Sequence, residues 1–184
     1  RVVVIDTSNG KIIRSINVGL DPEQIAVDPS ESRLYASNED PGTATVIDLA
    51  SGGTVATLTT GIEPEGATVS PDGRWAYITA ETSSTVTVID TAEPEVVDTI
   101  LVGARPRDTA FSPDGKLAFI SAELGQTLTV VDVATHTVIR TVSIAITPDV
   151  RPVGVAVRIG DAAHRLYGDV HRREVAIGAI EAEA

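Results

Sequence analysis

The chain has no cysteine and no methionine, and aromatic residues make up only 3% of its 184 residues. Without cysteine there is no disulfide, no thiolate metal site and no cysteine nucleophile, although the compartment stays open. Basic side chains are also scarce, with 14 Lys and Arg against 26 Asp and Glu and a net charge of −12. That balance argues against a nucleic-acid partner, whose phosphates are held by Lys and Arg. No apolar run approaches the roughly 20 residues that cross a bilayer as a helix, so no membrane span is expected. The one tryptophan, Trp75, leaves little for stacking and argues against a quinone cofactor held by this chain alone. No Gly-x-Ser-x-Gly elbow, phosphate loop or calcium-loop pattern occurs. The three histidines, His136, His164 and His171, show no metal-ligand spacing. The sequence therefore assigns no catalytic residue, no metal site and no cofactor.

What the chain does contain is a repeat. Val4-Ile5-Asp6, Val46-Ile47-Asp48, Val88-Ile89-Asp90 and Val130-Val131-Asp132 follow one another at intervals of 42 residues. Gly19, Gly61 and Gly103 keep the same phase, as do Pro22, Pro64 and Pro106, then Tyr35, Tyr77 and Phe119, and finally Glu39, Glu81 and Glu123. One period reads as four strands. Gly66 to Ser70 is short and apolar, and Pro71-Asp72-Gly73 turns the chain into Arg74 to Ala80. Thr85 to Asp90 alternates Thr and Val, the period-2 signature of a strand, and Val96 to Val102 completes the set. No convincing 3.6-residue apolar period interrupts the first 157 residues, so the fold class is all-β. A four-stranded meander of this size cannot bury both faces alone, and stacking copies radially gives a β-propeller. A β-solenoid competes less well, because its coils are shorter and usually parallel.

This phase divides the chain. Residues 1–19 are a partial blade holding a third and a fourth strand, and 20–61, 62–103 and 104–149 are blades, the last with a short insertion around Ile146 to Val150. Residues 150–157 open a further blade. In 158–184 the repeat markers vanish, and Arg158-Ile159-Gly160-Asp161 stands where Ser-Pro-Asp-Gly is expected. This tail reads as a degenerate blade, a disordered end or a misjoined reading frame. A first residue other than methionine, opening in mid-strand, leads to the expectation that the chain is processed, truncated or internal to something longer.

Leu34-Tyr35-Ala36-Ser37-Asn38 and Pro71-Asp72-Gly73-Arg74-Trp75-Ala76-Tyr77-Ile78-Thr79, each followed by Val-Ile-Asp, resemble the YVTN-type β-propeller repeat. The order of blade openings, Asp21-Pro22-Glu23, Glu63-Pro64-Glu65, Arg105-Pro106-Arg107 and Arg151-Pro152-Val153, is similar to that of the propeller proteins associated with PQQ-dependent alcohol catabolism. The resemblance implies a parent ring of seven blades, a periplasmic or secreted location, and a non-catalytic role accompanying PQQ-linked alcohol oxidation. Lactone-hydrolysing propellers of similar architecture supply the alternative, with Glu65 as acid/base and Arg107 as oxyanion donor.

Propeller topology places the blade openings and the second-to-third-strand turns on one rim of the channel, where function concentrates on loops. The candidate binding residues are therefore Glu23, Asn38, Glu39, Glu65, Glu81, Arg105, Arg107 and Glu123. Acids in turns usually act as solvated charges or backbone caps, which is the plain reading of Glu39, Glu81 and Glu123. Glu65 and Arg107 sit on neighbouring openings and could pair. The rim suits a cationic redox protein, or else a small anion clamped by Arg105 and Arg107. Asp6, Asp48, Asp90 and Asp132 are expected to shape the third turn, and His136 to be a surface turn residue.

Overall fold

In the computed structural model the described residues are 1–144, 151–156, 164–169 and 175–177, with side chains described for 1–144 and Val155. The segment around Ile146 to Val150, Arg158 to Asp161 and His171 lie outside them. Every described element is a β-strand, and no described helix is long and apolar enough to cross a membrane.

β1 (Val2–Ile5) pairs with β2 (Ile12–Ile16) in a two-stranded sheet. Three four-stranded antiparallel sheets follow, each in sequence order. Blade I holds β3 (Pro22–Val27), β4 (Arg33–Asn38), β5 (Thr43–Asp48) and β6 (Thr54–Thr59). Blade II holds β7 (Pro64–Val69), β8 (Trp75–Ala80), β9 (Thr85–Asp90) and β10 (Glu95–Leu101). Blade III holds β11 (Pro106–Phe111), β12 (Leu117–Ala122), β13 (Thr127–Asp132) and β14 (Thr137–Ser143). β15 (Arg151–Ala156), β16 (His164–Asp169) and β17 (Val175–Ile177) form a three-stranded sheet, so strands continue past the point where the repeat markers fade.

The opening strands β3, β7, β11 and β15 lie side by side from one sheet to the next, the arrangement of propeller blades around an axis. β3, β7 and β11 begin at a proline and β15 has one as its second residue, where a missing N–H is tolerated at a strand start. A bulge follows in each, between Pro22 and Ile25, Pro64 and Ala67, Pro106 and Asp108, and Pro152 and Gly154. β7 thus starts two residues before the apolar run in the sequence suggests, because Glu63 with φ 56° is where the chain turns inward.

The middle strands are buried on both faces, as stacked sheets require. Tyr35, Val46, Ile47, Tyr77, Val86, Val88, Ile89 and Ile120 are all inaccessible to solvent. The Thr–Val alternation of β9 therefore does not mark a wet face, since Thr87 is buried like Val86 and Val88. The recurring glycines have a steric cause. A Cβ on Gly61 would lie 2.5 Å from Ala80 Cβ, and one on Gly103 would lie 2.1 Å from Thr127 Oγ1.

At the end of the sheets away from the blade openings, Asp6, Asp48, Asp90 and Asp132 accept backbone N–H groups from Ser8, Ser51, Ala92 and Thr135 at 2.8–2.9 Å. These are the expected turn locks. The hydroxyls of Ser8, Ser51 and Thr135, together with these N–H groups, favour the ionised carboxylate and hold Asp6, Asp48 and Asp132 below the usual range. His136 occupies its turn with φ 53°, but it is more than a surface residue. Its Nδ1 lies 2.9 Å from the Tyr77 hydroxyl and its ring meets Trp75 edge-on at 4.7 Å, fastening blade III to blade II.

Candidate functional site: the acidic rim

The rim is built by one backbone device used three times. Asp21, Glu63 and Arg105, each just before an opening proline, adopt φ of 46°, 56° and 58°. Their carbonyls accept the N–H groups of Glu39, Glu81 and Glu123, each at 2.8 Å. Each opening loop is thereby tied to the second turn of its own blade. The left-handed geometry is uncommon for residues with side chains, and the bulge that follows re-aims the next side chain.

The side chains on this repeated backbone behave differently from slot to slot. Between blades II and III, Arg107 Nη2 sits 2.7 Å from Glu65 Oε1 and its Nη1 contacts Glu81 Oε1. Arg105 Nε donates to Glu81 Oε2 at 2.6 Å and lies 3.4 Å from Glu123 Oε2. The sequence-based pairing of Glu65 with Arg107 is thus one edge of a larger network. Glu81 and Glu123, read from sequence as solvated charges, are only 8% exposed. Arginines of the blade III opening reach both, Glu81 from the next blade and Glu123 from its own, which a turn position alone does not reveal. Glu65 is pushed up by burial, opposed by Arg107 and reinforced by Glu23 and Glu39.

Between blades I and II the positions of Arg105 and Arg107 are held by Glu63 and Glu65. There Asp21, Glu23 and Glu39 bring carboxylate oxygens within 4.8 Å of one another, a set with the chemistry to hold a cation. Burial and the neighbouring carboxylates Glu23, Asp21 and Glu63 raise Glu39 above the usual range.

Asn38 is not a surface group. It is fully buried, and its Nδ2 donates to Thr45 Oγ1 at 2.9 Å and Thr43 O at 3.2 Å. Deeper in the slots, Ser37 Oγ donates to Glu65 O at 2.5 Å and Thr79 Oγ1 to Arg107 O at 3.2 Å, stapling neighbouring blades. Gln24 Oε1 accepts from Ala67 N at 2.6 Å, and in phase with it Asp108 Oδ2 accepts from Val155 N at 3.3 Å. Burial raises Asp108 against the effect of the Val155 and Thr109 N–H groups.

The sequence reading missed Asp21 and Glu63 as rim residues. Their phase with Arg105 was the available signal. Glu63 also lines a cavity of about 390 Å³ with Glu81, Thr82, Ser84, Ala104, Arg105 and Leu124.

Comparison with known proteins places this geometry. The chain resembles a Kuenenia stuttgartiensis hydrazine synthase structure with a TM-score of 0.69 and 22% identity, over 84% of this chain and 47% of that one. It also resembles a functionally unknown protein from Desulfotomaculum acetoxidans DSM 771, with a TM-score of 0.64 and 18% identity, over 74% of this chain and 47% of that one. The chain thus spans about half the length of these neighbours, and at these identities the likeness establishes the fold, that of β-propeller blades. No curated protein sequence matches it. The family model described as "Cytochrome D1 heme domain" matches residues 40–164, more than half of the chain, and the chain belongs to that family.

Proposed function

We propose that the chain is a binding propeller whose acidic rim docks a cationic partner protein, such as a small basic redox protein, without a catalytic residue of its own. The observation that carries this reading is the charge of the rim. Carboxylates from successive blade openings and turns gather at one end, and the nearby cations, Arg105 and Arg107, are already engaged by Glu65, Glu81 and Glu123. A field of one sign on a rigid surface steers a partner of the opposite sign and weakens with salt. The same engagement disfavours a small anion clamped by the two arginines. The YVTN-like strand pattern supports an extracytoplasmic location, periplasmic or secreted, and a role accessory to PQQ-dependent alcohol oxidation.

The family description includes a heme, and the described residues do not fit one. His136 is the histidine whose side chain is described. Its Nδ1 faces Tyr77 and its ring packs on Trp75, at the end of the sheets opposite the rim. The rim itself offers carboxylates and paired arginines rather than an apolar slot with a free axial ligand.

Hydrolysis of lactones by Glu65 and Arg107 is the second reading, and the converging carboxylates of Asp21, Glu23 and Glu39 give it a place for a divalent ion. A lactone panel with and without added divalent metal tests it, and no turnover in either condition removes it. Docking is tested by titrating a lysine-rich c-type cytochrome. The expected result is binding at low ionic strength that falls steeply as sodium chloride rises. Binding that ignores salt, or none at low salt, overturns the reading.

A further inference from the structure

We propose that the 390 Å³ cavity between the β8–β9 turn and the β10–β11 loop seats one basic side chain, Lys or Arg, of the docked partner. The inference rests on the rim-docking reading and gives it an anchor point. Glu63 receives the charged head, and Leu124 and Ala104 flank the aliphatic stem.

The chemistry of the lining selects this occupant. Of its two carboxylates, Glu81 is committed to Arg105 and Arg107. Glu63 makes no ion pair within 4 Å among the described residues, and its Oε2 accepts from the Thr82 hydroxyl. A carboxylate has about four acceptor sites over its two oxygens, so Glu63 retains capacity for an ammonium or guanidinium. The one cation in the lining, Arg105, is outnumbered by Glu63 and Glu81 and gives its Nε to Glu81. Arg105 and Arg107 face Glu65, Glu81 and Glu123, which leaves the group negative before Glu63 is counted. An anionic ligand meets a lining of net negative charge here, and a neutral one leaves Glu63 unused.

The wall has an apolar side as well. Leu124 is 59% exposed beside Ala104, a surface suited to the methylene stem of a lysine or arginine whose head stays polar. The protein also provides its own precedent beside the cavity, on the other side of Glu81. Arg107 enters the rim as a long side chain and places its guanidinium between Glu65 and Glu81. The cavity presents a comparable acid, Glu63, and the arginine in its lining, Arg105, pairs with Glu81 and Glu123 instead.

The test uses the isotope-labelled chain and small analogues, N-acetyl-lysine methylamide and N-acetyl-arginine methylamide. N-acetyl-norleucine methylamide serves as the neutral isostere. Both cationic analogues are expected to give saturable amide shifts at Thr82, Ser84, Ala104 and Leu124, with affinity about tenfold above norleucine. Glu63→Gln is expected to lower that affinity about fivefold or more and Leu124→Ser to lower it less, while Glu95→Gln leaves it unchanged. Equal binding of norleucine, an unchanged affinity in Glu63→Gln, or no saturable shift at the cavity overturns the assignment. If the cationic cytochrome still binds the rim in a salt-dependent way, the anchor pocket alone fails. If the analogues bind as expected and the cytochrome does not, the docking reading fails instead.

Discussion

The two neighbouring slots of the rim share a backbone and differ in charge. In both, a residue with positive φ before an opening proline accepts the N–H of a second-turn glutamate at 2.8 Å. Between blades II and III the opening residues are Arg105 and Arg107, and their carboxylate partners are drawn into a buried network. Between blades I and II the same positions hold Glu63 and Glu65, and the acids of Asp21, Glu23 and Glu39 face one another. A propeller repeat thus fixes where a side chain starts, while the neighbouring blade decides whether its charge is neutralised or left to act on the surroundings.

The largest expected consequence is at Arg107. Arg107→Ala removes the cation shared by Glu65 and Glu81, leaving the partly buried Glu65 uncompensated and Glu81 with Arg105 alone, at a cost of about 3 kcal/mol. Glu23→Ala in the other slot relieves repulsion and leaves stability level or higher. Urea midpoints of the two variants measure this directly, and equal losses would break the comparison.

This contrast also marks what the sequence could reveal. The all-β class, the four-strand period and the aspartate turn locks follow from short-range patterns: Pro-Asp-Gly turns, Val-Ile-Asp endings and β-branched runs. The recurring Gly61 and Gly103 were visible as markers, but their cause, a close approach to Ala80 and Thr127, exists only once the sheets are closed. The burial of Glu81 depends on arginines 24 and 26 residues further along, a cross-blade relation that a turn motif does not encode. The same holds for His136, whose Tyr77 partner lies 59 positions away. Asn38, with a rim address in sequence, points its amide into the sheet because Thr43 and Thr45 satisfy it there.

A smaller effect is expected deeper in the first slot. Gln24→Ala leaves the Ala67 N–H without its side-chain acceptor, costing about 1 kcal/mol. In phase with Gln24, Asp108→Asn keeps an acceptor for Val155 and removes a charge that burial disfavours. It should be at least as stable as the parent at pH 7. Because burial raises the Asp108 carboxyl, the folded state holds its proton more tightly than the unfolded chain. Stability from this group therefore falls as pH rises through the folded value. The difference between Asp108→Asn and the parent should vanish in acid, where both side chains are neutral.

Smaller again is the gain from transplanting a cation. Glu63→Arg puts in the first slot what Arg105 supplies in the second, at a backbone conformation that Arg105 itself tolerates at φ 58°. A stabilisation of about 0.5 kcal/mol is expected for such a partly exposed pair. The same change should return the Glu39 carboxyl toward the ordinary range. In the parent the raised Glu39 makes its contribution to stability fall as pH rises through its folded value. Glu39→Gln should remove that slope, as followed by thermal midpoints across the acidic range.

The most direct test of the central claim is the affinity of the lysine-rich cytochrome for two charge-reversed proteins, measured at low ionic strength. Glu23→Lys with Glu39→Lys alters the rim outside the arginine network, and Glu95→Lys alters an exposed acid at the other end of the sheets. The account predicts that the double rim variant loses binding by about tenfold or more, while Glu95→Lys binds as the parent does. Equal affinities for all three proteins would contradict it.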